Sequence, residues 1–182
     1  WTQAFPYVDR CNYVSPMLNS VGFALACEKL LDVIVPDRCQ YYRMILGEFA
    51  RISDHLTCLG TIATELGAFT PHLWMIRCRE MICDIMEEET GARLTHSFAR
   101  IGGLAKPPTE GLKPHSLAVC EQLLKSLDEV QRLLVNNRVF LDRLENVGVI
   151  SAENAISLGC TGPVLRACGV PYDVRRAHPY LK

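Results

Sequence analysis

The sequence predicts a mainly α fold, a helical bundle with minor β-structure near the ends, and three observations predict it. Apolar residues recur at alternating steps of four and three along Ile45, Phe49, Ile52, Leu56, Leu59, Ala63 and Leu66. That is the period of a long helix packed along a neighbour. Helix start and stop signals bracket four extended segments. Strand-like character is confined to the short run Val147 to Ile150 and to the chain ends. Length and composition agree: 182 residues, 49% hydrophobic and 21% charged, suit one domain with a real core. They exclude a disordered tail, a collagen and a highly charged coiled coil. A net charge of −1 gives no electrostatic case for nucleic acid or an anionic membrane surface.

The elements follow in order. Residues 1–14 show no period, and Pro6, Asp9, Arg10 and Asn12 read as an ordered loop. Ser15-Pro16 is a helix start, with Ser as N-cap and Pro in the first turn. The helix runs to about Leu31, with Glu28 and Lys29 at its solvated end. Pro36-Asp37 opens a second helix of ~45 Å, closed by Gly67. Thr70-Pro71 opens a third, ending near Thr90 before Gly91. Short connections make these three antiparallel neighbours. Residues 102–114, rich in Gly and Pro, read as a long surface loop. A fourth helix spans about Pro114 to Asn136. Ser151 reads as the N-cap of a short helix that Gly159 ends, and the tail Gly169 to Tyr180 has no period.

Nine cysteines, at 11, 27, 39, 58, 78, 83, 120, 160 and 168, include no C-x-x-C pair. Most fall in apolar or helical runs, where a free thiol behaves as a small hydrophobe. They read as reduced structural residues. No apolar stretch approaches the roughly 18 residues of a membrane span. No Glu or Asp precedes a His by three residues, as a carboxylate-bridged di-iron site requires. Walker and G-x-G-x-x-G motifs are absent as well. Thr57, Thr61 and Glu65 form one line along the second helix. Spacing alone makes that line a solvated stripe, with a pocket-facing row as the alternative. Glu48, Arg51 and His55 read as a structural ion-pair row. Tyr13, at the joint of loop and first helix, is either a core residue with a bonded hydroxyl or a hydroxyl offered to a ligand.

Several stretches carry a resemblance: Pro6-Tyr7-Val8-Asp9-Arg10 with Tyr13-Val14-Ser15; Arg51-Ile52-Ser53-Asp54-His55-Leu56, leading to Leu66-Gly67-Ala68-Phe69-Thr70-Pro71; Arg77-Cys78-Arg79-Glu80; Arg100-Ile101-Gly102-Gly103; Asn136-Asn137-Arg138; and Thr161-Gly162-Pro163. Together they resemble the quinone-site D subunits of bacterial NADH:quinone oxidoreductase, respiratory complex I, from end to end of the chain. The resemblance implies the fold of the nickel–iron hydrogenase large subunit, without its four metal-binding cysteines and with no metal of its own. It also implies that residues 1–182 are the central helical portion of one larger domain, flanked by a β-rich N-terminal segment and a C-terminal one.

The resemblance assigns roles as well. Tyr13 falls on a tyrosine that hydrogen-bonds the quinone headgroup. Glu65 falls where the family usually has aspartate, the partner of an upstream histidine, and Thr61 falls on a threonine lining the same cavity. Arg10 falls beside the terminal iron–sulfur cluster, which a neighbouring subunit holds. Thr95 occupies a position where many relatives have histidine, with His96 next to it and expected to face elsewhere. The implied cofactor is quinone, with the iron–sulfur cluster, FMN and NADH in other subunits. The implied partners are the iron–sulfur subunit, other peripheral-arm subunits and the membrane arm, at the cytoplasmic face of the bacterial inner membrane. On this reading the isolated chain is inactive and works as a subunit of a translocating oxidoreductase. The alternative is a truncated or divergent paralogue with a structural or assembly role.

Overall fold

A computed structural model describes residues 1–181. Helix takes 69% of the chain beside a small two-stranded sheet, which makes the fold mainly α with minor β-structure. The chain divides into two compact units, residues 1–137 and 138–182. The first unit contains α1 (Phe5–Asp9), α2 (Pro16–Leu31), α3 (Asp37–Glu65), α4 (Phe69–Thr90), the two-residue strands β1 (Ala99–Arg100) and β2 (Gly103–Leu104), and α5 (Leu112–Leu134). The second contains α6 (Arg138–Leu144), α7 (Ala152–Ser157), α8 (Gly162–Ala167) and α9 (Val174–Ala177).

The N-terminal segment is not the loop the sequence suggests. Thr2–Ala4 and Arg10–Asn12 are 3-10 turns around α1. Pro6 sits in the first turn of α1, where a missing N–H costs nothing. Phe5 is buried and meets Phe23 of α2 edge to face at 5.2 Å. Five residues are too few to show a helical period, so tertiary packing makes this helix.

α2, α3, α4 and α5 pack in sequence, each along the next, and the α3–α4 contact is the most extensive. α3 is 29 residues long and turns to the core a seam one step away from the expected one. Tyr42, Leu46, Phe49, Ser53, Leu56, Gly60 and Ala63 are buried, again at steps of four and three. Both seams share Phe49, Leu56 and Ala63. Between them, however, Ile45 is 42% exposed and Leu59 53% exposed, while Gly60 and Ser53 face inward. The reason is close approach. A Cβ on Gly60 would stand 3.0 Å from His72 Nδ1, and one on Gly47 3.2 Å from Leu18 Cδ2. Helices this near need small residues between them, so the larger ones are turned outward.

Local end signals largely hold. Gly91 ends α4 with φ +86°, and Gly67 follows α3 with φ +87°; both use the left-handed conformation that glycine adopts without strain. α5 starts at Leu112 with Pro114 in its first turns, slightly before the expected start. The residue 102–114 loop is shorter than expected, because Gly103–Leu104 is strand β2, antiparallel to β1 in the register Ala99 with Leu104 and Arg100 with Gly103. The hairpin lies in the middle of the chain, where the expectation had put β-structure near the ends. Val147 to Ile150 forms no strand, since it has no partner to share a ladder with.

In the second unit, Ser151 caps α7 as expected, accepting from the Asn154 N–H at 3.2 Å, and Gly159 turns the chain with φ +71°. Ala155 of α7 and Leu165 of α8 are its buried apolar residues. The tail contains α9, which its lack of period concealed. Asp173 caps it, accepting from the Arg175 N–H at 3.0 Å and pairing with the Arg175 guanidinium at 2.7 Å. These bonds hold the Asp173 carboxyl well below the usual carboxylate range.

All nine cysteines are unpaired. Cys27, Cys78 and Cys83 are buried, whereas Cys11 and Cys58 are exposed. Among the described residues, no helix is long and apolar enough to cross a membrane.

Candidate functional site

The first unit holds its ionisable residues in two ways. Early in α3 an arginine is buried and bonded through both terminal nitrogens, with its Nε left unpartnered. Arg43 is fully buried. Its Nη1 donates to Glu28 Oε2 at 2.9 Å, and its Nη2 donates to Glu28 Oε1 at 2.6 Å. Nη2 also reaches the Arg100 and Gly103 carbonyl oxygens at 2.9 and 3.0 Å. Glu28 Oε1 accepts the Gly102 N–H at 2.7 Å as well. Glu28 is therefore not the solvated helix end its sequence position suggests. It is buried because a forked guanidinium meets both its oxygens, and a charge can leave water only when so paired. The hub fastens α2, α3 and the β1–β2 hairpin together. Arg43 is one of three arginines on α3, and nothing in its spacing marked it as the buried one.

A second buried carboxylate lies close by in the fold. Glu89, at the end of α4, is fully buried and accepts from the Tyr42 hydroxyl and the Thr109 hydroxyl. It also accepts the Thr109 N–H at 3.2 Å. Burial, and then Glu89 itself, pushes the Tyr42 phenol above its ordinary value. Nearer the surface, Arg93 gathers Glu80, Asp84 and Glu87 of α4 at 2.7 to 2.8 Å. Arg51 pairs with Glu48 at 3.1 Å, and His55 of the same row stands exposed.

Of the residues assigned to the quinone site, Tyr13 is 61% exposed. Its turn is fixed by a clasp on α3: Asn12 Nδ2 and Ser15 Oγ donate to Asp54 Oδ2 at 3.1 and 3.0 Å. Asn12 Nδ2 also donates to Ser15 Oγ at 2.7 Å. Ser15 occupies the cap position of α2 but makes no side-chain cap bond; its hydroxyl is turned to Asp54 instead. The start of α2 thus lies beside Asp54, not at the end of α3. From Asp54 to Glu65 is roughly 16 Å along the helix axis. Thr61 and Glu65 are exposed. Thr61 Oγ1 donates to the Thr57 carbonyl at 2.8 Å, as Thr57 Oγ1 does to that of Ser53 at 2.9 Å. Such back-bonding occupies the proton of each hydroxyl and leaves its lone pairs free.

The residues assigned to the cluster side also separate. Arg10 is exposed, its Nη1 donating to the Pro6 carbonyl at 2.6 Å. Its neighbour Asp9 is fully buried, and Asp9 Oδ2 accepts from the Ser97 N–H at 2.5 Å and Ser97 Oγ at 2.9 Å. Thr95 and Ser97 have φ of +50° and +43°, conformations that cost a β-branched or small L-residue strain. Between them His96 turns inward. Neither of its buried ring nitrogens has a partner in good hydrogen-bond geometry, the backbone of Arg93 being only a loose contact. Burial lowers the His96 pKa, against the opposing pull of Asp9 and of that backbone. Sequence reasoning missed Asp9; a charged residue three places after an aromatic-proline pair carries no period to announce its burial.

Fold and site together define a mainly α protein with buried polar clasps that lock its helices and much apolar surface facing outward. Comparison with known proteins sharpens this. Residues 65–182 match the family described as "Respiratory-chain NADH dehydrogenase, 49 Kd subunit", and the chain belongs to that family. It is 61% identical over its whole length to the first of the numbered D subunits of NADH-quinone oxidoreductase in Sorangium cellulosum (strain So ce56), covering 45% of that protein. It is 51% identical over 99% of its length to the NADH-quinone oxidoreductase D subunit of Myxococcus xanthus (strain DK1622), covering 43% of it. Identity to the second numbered D subunit of the same enzyme in Rhizobium etli (strain CIAT 652) is 47%, over 99% of the chain and 45% of the relative. The chain thus spans less than half the length of these relatives.

Proposed function

We propose that this chain is the quinone-site portion of a subunit of NADH:quinone oxidoreductase, passing electrons from an iron–sulfur cluster in a neighbouring subunit to quinone. The observation that carries the reading is the 61% identity along the full chain to a protein named as a D subunit of that enzyme. The subunit would bind other peripheral-arm subunits and dock on the membrane arm while remaining peripheral to the membrane.

Tyr13 would donate its phenol proton to a quinone carbonyl. A phenol O–H is a hydrogen-bond donor. The clasp on Asp54 supports this role, because it fixes the Tyr13 turn while leaving the ring exposed. The distance along α3 from that clasp to Glu65 suits a relay better than two direct contacts. In that relay Tyr13 meets one side of the headgroup, a histidine from elsewhere in the protein meets the other, and Glu65 holds the histidine. A carboxylate on the far nitrogen of an imidazole orients it and favours its charged form. Thr61 would line the cavity with its free lone pairs. Arg10 would set a positive charge near the cluster and so favour the reduced form.

The test is Tyr13→Phe in the full-length subunit within the assembled complex. NADH-dependent quinone reduction should fall at least about tenfold, a barrier increase of ~1.4 kcal/mol. NADH oxidation by an artificial acceptor that bypasses the site should be unchanged. Undiminished quinone reduction would remove Tyr13 from the mechanism.

A further inference from the structure

Two residues that touch through a common neighbour hold buried polar atoms without a well-formed bond. Asp9 of α1 is fully buried. Its Oδ2 takes both the N–H and the hydroxyl of Ser97, yet among the described residues its Oδ1 has no partner. His96, bonded to Ser97 in the chain, has both ring nitrogens buried and without a partner in good geometry. Buried polar atoms are bonded in the great majority of cases, and an exception calls for a reason. The Ser97 bonds bring the two residues side by side. Thr95 and Ser97 hold φ of +50° and +43°, strained for residues with side chains, and between them the imidazole turns inward. Charges on the surrounding elements are engaged elsewhere. The Arg100 guanidinium of β1 donates to the Ser97 and Ala99 carbonyls and lies over the Phe5 ring. Arg43 of α3 and Glu28 of α2 pair with each other, Arg93 pairs with carboxylates of α4, and Arg10 donates to the Pro6 carbonyl. Asp9 is the charge that acts on His96.

We propose that Asp9 and His96 form a proton-binding site: a proton from solvent adds to the free lone pair of the imidazole, and Asp9 Oδ1 holds the resulting imidazolium. One N–H bond forms, and Asp9 stays a carboxylate throughout. The unbonded oxygen thereby has a use, as the acceptor of a charge-assisted bond, while Ser97 fixes the carboxylate through the other oxygen. Two opposing influences set the proton affinity of the site. Burial resists the charge, and Asp9 supports it. Opening the segment releases His96 to its ordinary value of about 6.5, whereas the folded state holds it lower, so falling pH favours opening. Without the Asp9 charge the folded state resists the proton more strongly still. The proposal is independent of the quinone reading and involves neither quinone nor cluster.

The experiment is hydrogen exchange of the full-length subunit in its native assembly, read by mass spectrometry on peptides covering residues 94–98 and corrected for the intrinsic pH dependence of exchange. From about pH 7.5 to about pH 5.5, protection should fall at least about twofold in the unaltered protein. It should stay level in His96→Gln and fall more steeply in Asp9→Asn, which keeps the shape but removes the charge. Level protection in the unaltered protein would overturn the proposal, as would a fall that survives in His96→Gln. An Asp9→Asn fall no steeper than that of the unaltered protein would show that Asp9 does not hold the proton, and would overturn it too. A second measurement needs no substitution: experimental structures of the same assembly at about pH 8 and at about pH 5 or below. A His96 ring nitrogen should stand within about 3.2 Å of Asp9 Oδ1 in the acidic structure, and a separation beyond that at both pH values would overturn the proposal by itself.

Discussion

The two ends of α3 treat polar residues in opposite ways. At its start, Arg43 is buried and its bonds to Glu28, Arg100 and Gly103 tie three elements together. At its end, Thr61 and Glu65 stand exposed, with the threonine hydroxyl turned back on its own helix. Both ends belong to one 29-residue helix of ordinary composition, so helix propensity does not separate them. What separates them is the neighbour. At the start, α2 and the hairpin bring a carboxylate and two carbonyls to meet the guanidinium, and an N–H to meet the carboxylate. α2 begins beside Asp54 and so flanks only the part of α3 before it. Polar groups bonded to several elements at once hold a fold, and polar groups left open are available for chemistry.

The contrast is tested most severely at the buried end. Arg43→Ala in the full-length protein leaves Glu28 charged, buried and without its fork, and should cost ~3–5 kcal/mol in urea unfolding. A loss below about 1 kcal/mol, the range of exposed pairs, would mean that water reaches the hub. Next in size is Tyr42→Phe, which removes one of the donors to Glu89 while Thr109 keeps its own. The expected loss is ~1–3 kcal/mol, read by the same unfolding experiment, with Phe keeping the ring contact to Phe98.

Smaller, and dependent on pH, is the effect of His96. Its folded-state pKa is lowered, chiefly by burial, so the unfolded chain takes up a proton first as pH falls. Its contribution is whole above the unfolded value of about 6.5. It declines as pH drops below that value and levels off beneath the folded-state pKa. His96→Gln should flatten this part of the stability–pH curve; an unchanged slope would place the titration elsewhere. Smallest is Tyr13→Phe, which should alter stability by less than about 0.5 kcal/mol, as exposed positions do, while reducing quinone turnover. A large stability loss there would make Tyr13 a structural residue and erase the contrast between the two ends.

Local chemistry made part of this protein readable in advance. Ser151, Gly67 and Gly91 announced turns and caps because their signal lies within four residues of the position they govern. The four long helices were legible for the same reason, each repeating a period often enough to be seen. The assigned residues Tyr13, Thr61, Glu65, Arg10, Thr95 and His96 came from the resemblance, and no periodicity would have selected them. Their surroundings were less readable: the Ser15 hydroxyl was expected on its own helix and is held by Asp54 instead.

Residue types and short spacings were enough to settle the helical class and the approximate ends of the long helices, and the matching stretches carried the resemblance to the family. They could not settle which face of α3 turns inward, because two four-three seams share Phe49, Leu56 and Ala63 and differ by one step between them. Packing made that choice through Gly60 and Gly47, whose missing side chains let neighbouring helices approach. The same holds for Glu28, Asp9 and Glu89. A charged residue is buried only where partners from distant parts of the chain converge on it, and that convergence has no local signature. The helix at Phe5–Asp9 also owes its existence to such packing, since five residues alone cannot overcome the cost of starting a helix.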